Sequence, residues 1–299
     1  MHARSEEGFS MKKKLQFLAV LLIMILSYSG YGQNTQNKLE AHLSEALRQG
    51  YAENYIKGYT QPLATAFGTI MGGALYHRAY TKSFPRFDVG ISGVYITVPD
   101  QELEFIFNGD KVPTFFGTNS ESISGIVGSG LEGYWLPQLH LNVGLFANLE
   151  LMARGFKYNI AEIGDIRMLG FGVKYGLSDL IPIPMFPVDL SVQGSYQTLA
   201  VGDWLSAGTF TMNINASKGL IIMPLDLYAG VGFETTSMTI GTNEISNIGQ
   251  FGVGDISFDG DNNLRLNFGI SWTLFILNLH ADYNIGEYNS VGGGVMVVL

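Results

Sequence analysis

Along "VDLSVQGSYQTLA", residues 188–200, apolar and polar side chains take turns. Val188, Leu190, Val192, Tyr196 and Ala200 fall on one side, and Asp189, Ser191, Gln193, Ser195 and Gln197 on the other. Strict alternation gives an extended strand with one apolar and one polar face. The same period recurs through most of the chain. In residues 139–154, Leu139, Leu141, Val143, Leu149 and Leu151 oppose His140, Asn142, Glu150 and Arg154. "GTFTMNINAS" sets Phe210, Met212 and Ile214 against Thr211, Asn213 and Asn215. "LDLYAGVGFE" sets Leu225, Leu227 and Val231 against Asp226, Tyr228 and Glu234. "LRLNFGISW" sets Leu264, Leu266 and Phe268 against Arg265 and Asn267. The phase then flips in "LNLHADYN", where Leu277, Leu279 and Tyr283 oppose Asn278, His280 and Asp282, so a tight turn is expected at 274–276. Weaker strands are expected at about 67–79, 86–98, 122–135, 163–177 and 288–299. Only residues 36–57 carry a helical stripe, with Leu39, Leu43, Leu47 and Tyr51 at four-residue spacing.

Strand length decides what the two faces meet. Soluble strands average about 5–6 residues, whereas a tilted membrane strand needs about 9–11. Several segments here reach twelve or more. Their polar faces carry charges that a dry sandwich core would reject and a wet lumen accepts. Breaks near 80–85, 136–138, 178–186, 218–223 and 274–276 are short or marked by Pro. They alternate with breaks at 99–121, 155–162, 201–204, 241–260 and 285–288, two of them long and acidic. Short turns on one rim and longer loops on the other suit an outer-membrane barrel. The expected fold is all-β: a transmembrane antiparallel up-and-down barrel of about twelve strands, within a range of ten to fourteen.

The ends refine this. Lys12, Lys13 and Lys14 precede the apolar run "LQFLAVLLIMIL" (15–26), and Gly30 and Gly32 suit cleavage after Gly32. That is the layout of a secretory signal peptide over residues 1–32, with Met11 the expected start. Residues 33–62 are then an N-terminal helical plug or cap, and 63–299 the barrel. Taking residues 1–32 from the 17 basic and 26 acidic residues removes four and two of them and leaves a formal charge of −11, which disfavours nucleic acid as a partner. The chain has no cysteine, which excludes disulfides, thiolate metal sites and a lipid-modified N-terminal Cys. "VGGGVMVVL" ends the chain as an apolar strand of the kind read by barrel-insertion machinery, with Leu299 where Phe or Tyr is usual.

Three stretches resemble an uncharacterised family of Gram-negative outer-membrane-type barrels, classed as a domain of unknown function. They are "YIKGYTQPLATAFGTIMGGALYHRA" (55–79), "FDVGISGVYITVPDQELEF" (87–105) and "GFGVKYGLSDLIPIPMFPVDLSVQGSYQTL" (170–199). Tyr175 stands where that family commonly has His, and Gly176 and Leu177 replace an acid and Ile. The resemblance implies a fold and a location and carries no activity. The helix-then-barrel order also resembles, more distantly, the long-chain fatty-acid transporter barrels, whose N-terminal segment plugs the lumen.

Little in the sequence signals chemistry. His280 and Asp282 share one strand face, about 7 Å apart by strand rise, which would suit general-base hydrolysis, but no nucleophile accompanies them. "GSGLEG" (128–133) matches a dinucleotide-loop spacing in the wrong, all-strand context. "DGDNN" (259–263) lacks calcium-loop spacing. No cofactor, metal or catalytic residue is assigned. The expected lumen wall comprises Asp189, Ser191, Gln193, Ser195, Gln197, Glu150, Arg154, Asp226, Arg265, His280 and Asp282. Glu150, Asp226 and Glu234 could pair there with Arg154, Arg167, Lys174 or Arg265. The expected partners are outer-membrane lipid, the insertion machinery and a small hydrophobic or amphipathic solute. The expected role is passive transport, with a barrel hydrolase or a non-conducting structural barrel as alternatives.

Overall fold

The computed structural model describes residues 53–117, 133–160, 164–181, 187–220, 222–241 and 254–299. It opens with one helix, α1 (Glu53–Gly72). Thirteen strands follow: β1 (Phe87–Thr97), β2 (Glu104–Phe107), β3 (Asp110–Pro113), β4 (Gly133–Gly144), β5 (Leu149–Ile160), β6 (Gly164–Gly176), β7 (Asp189–Val201), β8 (Leu205–Gly219), β9 (Leu225–Ile240), β10 (Ile256–Asp259), β11 (Leu264–Leu274), β12 (Leu277–Ile285) and β13 (Ser290–Val298).

Ten of the strands close a ring of antiparallel neighbours, β1-β4-β5-β6-β7-β8-β9-β11-β12-β13. The apolar C-terminal strand seals it, pairing with β1 from Asp88↔Val298 to Ile96↔Ser290. The short β10 stands outside the ring. It pairs with β9 from Ile256↔Ile240 to Asp259↔Ser237, on the edge where β11 resumes at Leu264↔Phe233. The β2–β3 hairpin lies in the first long connection and joins no wall strand.

Ten wall strands is the lower edge of the expected range, and two local readings change. The expected strand at 67–79 does not exist: α1 continues to Gly72 and the wall begins only at Phe87, well beyond residue 63. The expected break at 136–138 lies inside β4, with Pro137 opposite Gly93. The chain turns instead at 145–148, where Ala147 and Asn148 both take positive φ. The alternation of 139–154 survives because that turn spends an even number of residues. The helix expected at 36–57 overlaps α1 only from Glu53; residues 36–52, the signal segment and most of "GSGLEG" lie outside the described residues.

The outer face of the ring is apolar and uncovered. Phe171, Tyr196, Phe210, Ile214, Phe268 and Ile270 all stand more than 40% exposed on it. Among the described residues no second protein layer meets them, and a water-facing sheet would not carry such a band. This is the lipid face of a transmembrane barrel. A shallow groove of about 540 Å³ on that face runs over Gly194 between Leu151, Phe171, Tyr196 and Phe210.

The core lies inside the ring. α1 is buried nearly all round, with Tyr55, Ile56, Leu63, Phe67, Ile70 and Met71 at 2% exposure or less. It packs on inward wall residues near the long-loop rim, among them Val94, Ile96, Ile166, Leu199, Val201, Met238 and Ile240. The β2–β3 hairpin folds over its first turns, where Phe105 and Phe107 lie 5.6 and 5.1 Å from Tyr55. After Gly72 the chain continues as a strap, 73–83, through the other half of the lumen. It reaches the short-turn rim, where Ser83 bridges Leu145.

A plugged lumen as the candidate functional site

The wall half that meets α1 is mainly apolar, with a polar strip along β9, and the half that meets the strap is polar. The period of two puts alternate residues inside, and the side chains that reach the strap come from nearly every wall strand. Arg154 on β5 ends the helix. Its Nη1 donates to Gly73 O at 2.8 Å, its Nη2 donates to Met71 O, and its Nε donates to Gln197 Oε1 at 2.6 Å. Gln197 Nε2 also donates to Met71 O. The last carbonyls of a helix have no partner within it, and here two wall side chains supply the donors. Further down, Gln193 Nε2 donates to Leu75 O, Tyr76 Oη donates to Asn267 Oδ1, and Ala79 N donates to Ser217 Oγ at 2.9 Å.

A charge cluster fastens the strap at the turn rim. Asp88 on β1 is fully buried. Its Oδ2 lies 2.9 Å from Arg78 Nη2, 2.5 Å from Lys82 Nζ and 3.4 Å from His77 Nε2. Glu150 on β5 lies 3.2 Å from Lys82 Nζ and 2.7 Å from Lys174 Nζ. Nearer the middle, Arg265 Nη1 meets Glu234 Oε2 at 2.7 Å. Buried ions are tolerated when paired in this way, and removing one partner strands the other.

The eleven wall residues singled out by pattern sit as follows. Ser191, Gln193, Ser195, Gln197, Glu150, Arg154, Arg265, His280 and Asp282 are buried on the inner face. Asp189 and Asp226 are half-buried at the turn rim. Of the candidate ion pairs, Lys174–Glu150 and Arg265–Glu234 form. Arg167 points outward, to Asp203 at 3.2 Å. The strap's His77, Arg78 and Lys82 and the wall's Asp88 were not singled out. Only the clustering of three bases just before the first clear strand marks them in the sequence.

His280 and Asp282 are each engaged by other groups. His280 stacks on His77 with ring centroids 4.9 Å apart, and its Nδ1 faces Asn278 Oδ1 at 3.2 Å. Asp282 accepts from Tyr228 Oη at 3.1 Å and from Asn284 Nδ2 at 2.6 Å. A serine does meet a histidine elsewhere, Ser92 Oγ to His140 Nδ1 at 3.2 Å, but both are buried inside the barrel. Among the described residues no three His, Asp or Glu side chains are grouped to hold a metal ion. "DGDNN" instead bridges helix and wall: Asp261 N donates to Thr65 Oγ1 on α1, and Asn262 Nδ2 to Glu234 and Thr236 on β9.

The polar half is incompletely satisfied. Both amide atoms of Gln138 and of Asn215, and Ser191 Oγ, are buried without a partner in the protein. Buried polar atoms are ordinarily paired, and groups left over are met by water. A void of about 10 Å³ between Gly72, Tyr76, Asn213 and Arg265 has room for about one.

The chain belongs to the family of unknown function DUF6588, whose model matches residues 11–298. No curated protein matches it. Among solved structures it is similar to OmpT, an outer membrane protein of Vibrio cholerae, at 14% identity and a TM-score of 0.27 over 55% of each chain, about half that protein's length. It is similar to the translocator domain of the autotransporter NalP from Neisseria meningitidis at 9% identity and a TM-score of 0.34, over 89% of this chain and 99% of that one. It is also similar to the outer membrane protease OmpT from Escherichia coli at 8% identity and a TM-score of 0.35, over 72% and 96%. No long-chain fatty-acid transporter stands among these three.

Proposed function

We propose that this member of the DUF6588 family is a gated passive conduit of the outer membrane, reached by secretory export directed by the signal peptide expected at 1–32. α1 and the strap close the lumen at rest. Their displacement opens a polar passage for a small or amphipathic solute, with no catalysis and no cofactor. One observation carries this reading. The lumen is filled by a separate N-terminal segment, held in its polar half by side-chain contacts that leave neighbouring wall groups unpaired, rather than by interlocked wall side chains. A barrel serving only as a scaffold needs no removable filling.

The native chain lacks cysteine, so a tether can be placed without competing thiols. Ala79 and Ser217 are in direct contact between strap and wall. In the double variant Ala79→Cys, Ser217→Cys, the oxidised protein in planar bilayers is expected to stay silent under moderate urea. Reduction is expected to restore the stepwise conductance of the unmodified chain. Equal conductance in both redox states, or no conductance from any form, would overturn the proposal.

A further inference from the structure

Resting on that reading, we infer that the turn-rim half of the lumen wall is a cation site, which the strap's own Arg78 and Lys82 occupy in the closed state. The opened passage would then take small cations, alkali-metal or ammonium- and guanidinium-bearing, in preference to anions.

The charges are unevenly divided between wall and plug. Among the described residues the inward wall carboxylates are Asp88, Glu150, Asp189, Asp226, Glu234 and Asp282, against the inward wall bases Arg154, Lys174 and Arg265. The excess is concentrated near the turn rim. Asp88, Glu150, Asp189 and Asp226 lie there with Lys174 as the wall's base, while Arg265 is spent on Glu234. The bases that balance them come from the strap: Arg78 and Lys82, both buried on Asp88. Arg78 also stacks over the Tyr80 ring at 4.5 Å, so the strap presents a cation already sheltered from water. Asp88 Oδ1 has no partner even with the strap in place, which leaves acceptor capacity in the site. Once the strap leaves, the wall keeps its carboxylates in a narrow, low-dielectric passage. Rings of Asp and Glu in such a setting favour cations.

The test is the full chain carrying Arg78→Gln and Lys82→Gln, reconstituted in planar bilayers across a KCl gradient. Folding is checked by strand content and heat-dependent migration. The expected result is spontaneous stepwise conductance with a reversal potential that reports K⁺ several times more permeant than Cl⁻. Adding Asp88→Asn and Glu150→Gln is expected to bring the two ions close to equal. Conductance without preference, or with preference for Cl⁻, would overturn the cation site and leave the conduit standing. A folded barrel that never conducts would overturn both. Should the variant fail to fold, the unmodified chain opened by urea gives the same reversal-potential readout, with K⁺ preference supporting the site and its absence overturning it.

Discussion

Arg154 shows how a single wall residue joins barrel and plug. It pairs with no carboxylate among the described residues; its guanidinium is held by Met71 O in the last turn of α1, by Gly73 O at the start of the strap and by Gln197. A planar fork with donors on several sides suits that task better than a lysine would. Glu102, at the loop rim beyond the wall, makes a different contribution. It is half-buried and accepts from Tyr288 Oη at 3.3 Å. Burial lifts its carboxyl above the ordinary 4.5, the Tyr288 hydrogen bond opposes the rise, and Asp261 and Glu287 add to it. The folded chain therefore binds this proton more tightly than the unfolded chain does. The charged carboxylate costs stability above the raised value, and the cost is gone below 4.5. Glu102→Gln should melt slightly higher than the unmodified chain at about pH 7, with the gap closing toward about pH 4. Thermal unfolding in detergent at both values checks this, and a gap that widens on acidification would contradict it.

At the scale of elements, α1 depends on a stripe of small residues. Ala64, Gly68 and Gly72 recur at four-residue spacing and face the β9 side of the wall. A Cβ on Gly68 would stand 2.2 Å from Thr236 Oγ1 and 2.4 Å from Asn262 Nδ2; one on Gly72 would stand 2.1 Å from Glu234 Oε2. Gly68→Leu should push the helix off the wall at a cost of about 1–3 kcal/mol. That is roughly a fivefold to 150-fold rise in the plug-out population, read as faster proteolysis of 53–83 with strand content unchanged. The plug expected at 33–62 reaches only the first half of α1, and its enclosure explains why the second half is illegible in the sequence. A helix enclosed on every side needs no polar face, so it shows no amphipathic stripe. Pro62 and three glycines further disguise it, and its last turns together with the start of the strap, 67–79, imitate a strand. The wall strands were legible because each separates lipid from a polar interior, and the phase flip placed the β11–β12 turn correctly at Phe275. Near the loop rim the signal weakens, because inward residues such as Leu199 and Val201 become apolar where they meet α1. The charge cluster was half legible. Alternation placed Glu150 and Lys174 inside, but their partners come from a strap that no periodicity marks.

At the scale of the molecule, the two faces of β7 report on the state of the plug. Ser191, Gln193, Ser195 and Gln197 point inward and are buried, with Gln193 at 2% exposure and Gln197 at 0%. Leu190, Val192 and Tyr196 point outward, toward lipid. An open barrel would let water-soluble thiol reagents reach every inward position. The plugged barrel shields both faces, for unlike reasons: the inner by protein and the outer by hydrocarbon. Single cysteines placed in turn at 189–197 in membrane vesicles should therefore react slowly at rest, except position 189, which is faster because it sits half-buried at the turn rim. Urea that displaces the strap while sparing the wall should accelerate positions 191, 193, 195 and 197 and leave 190, 192 and 196 slow. Alternating reactivity gained only on displacement would mean that the polar face lines a passage whose occupant can leave. Inner positions that react at rest as fast as a free thiol would mean that the lumen already stands open. Inner positions that stay slow until the whole barrel unfolds would mean that α1 and the strap are part of the wall's own stability.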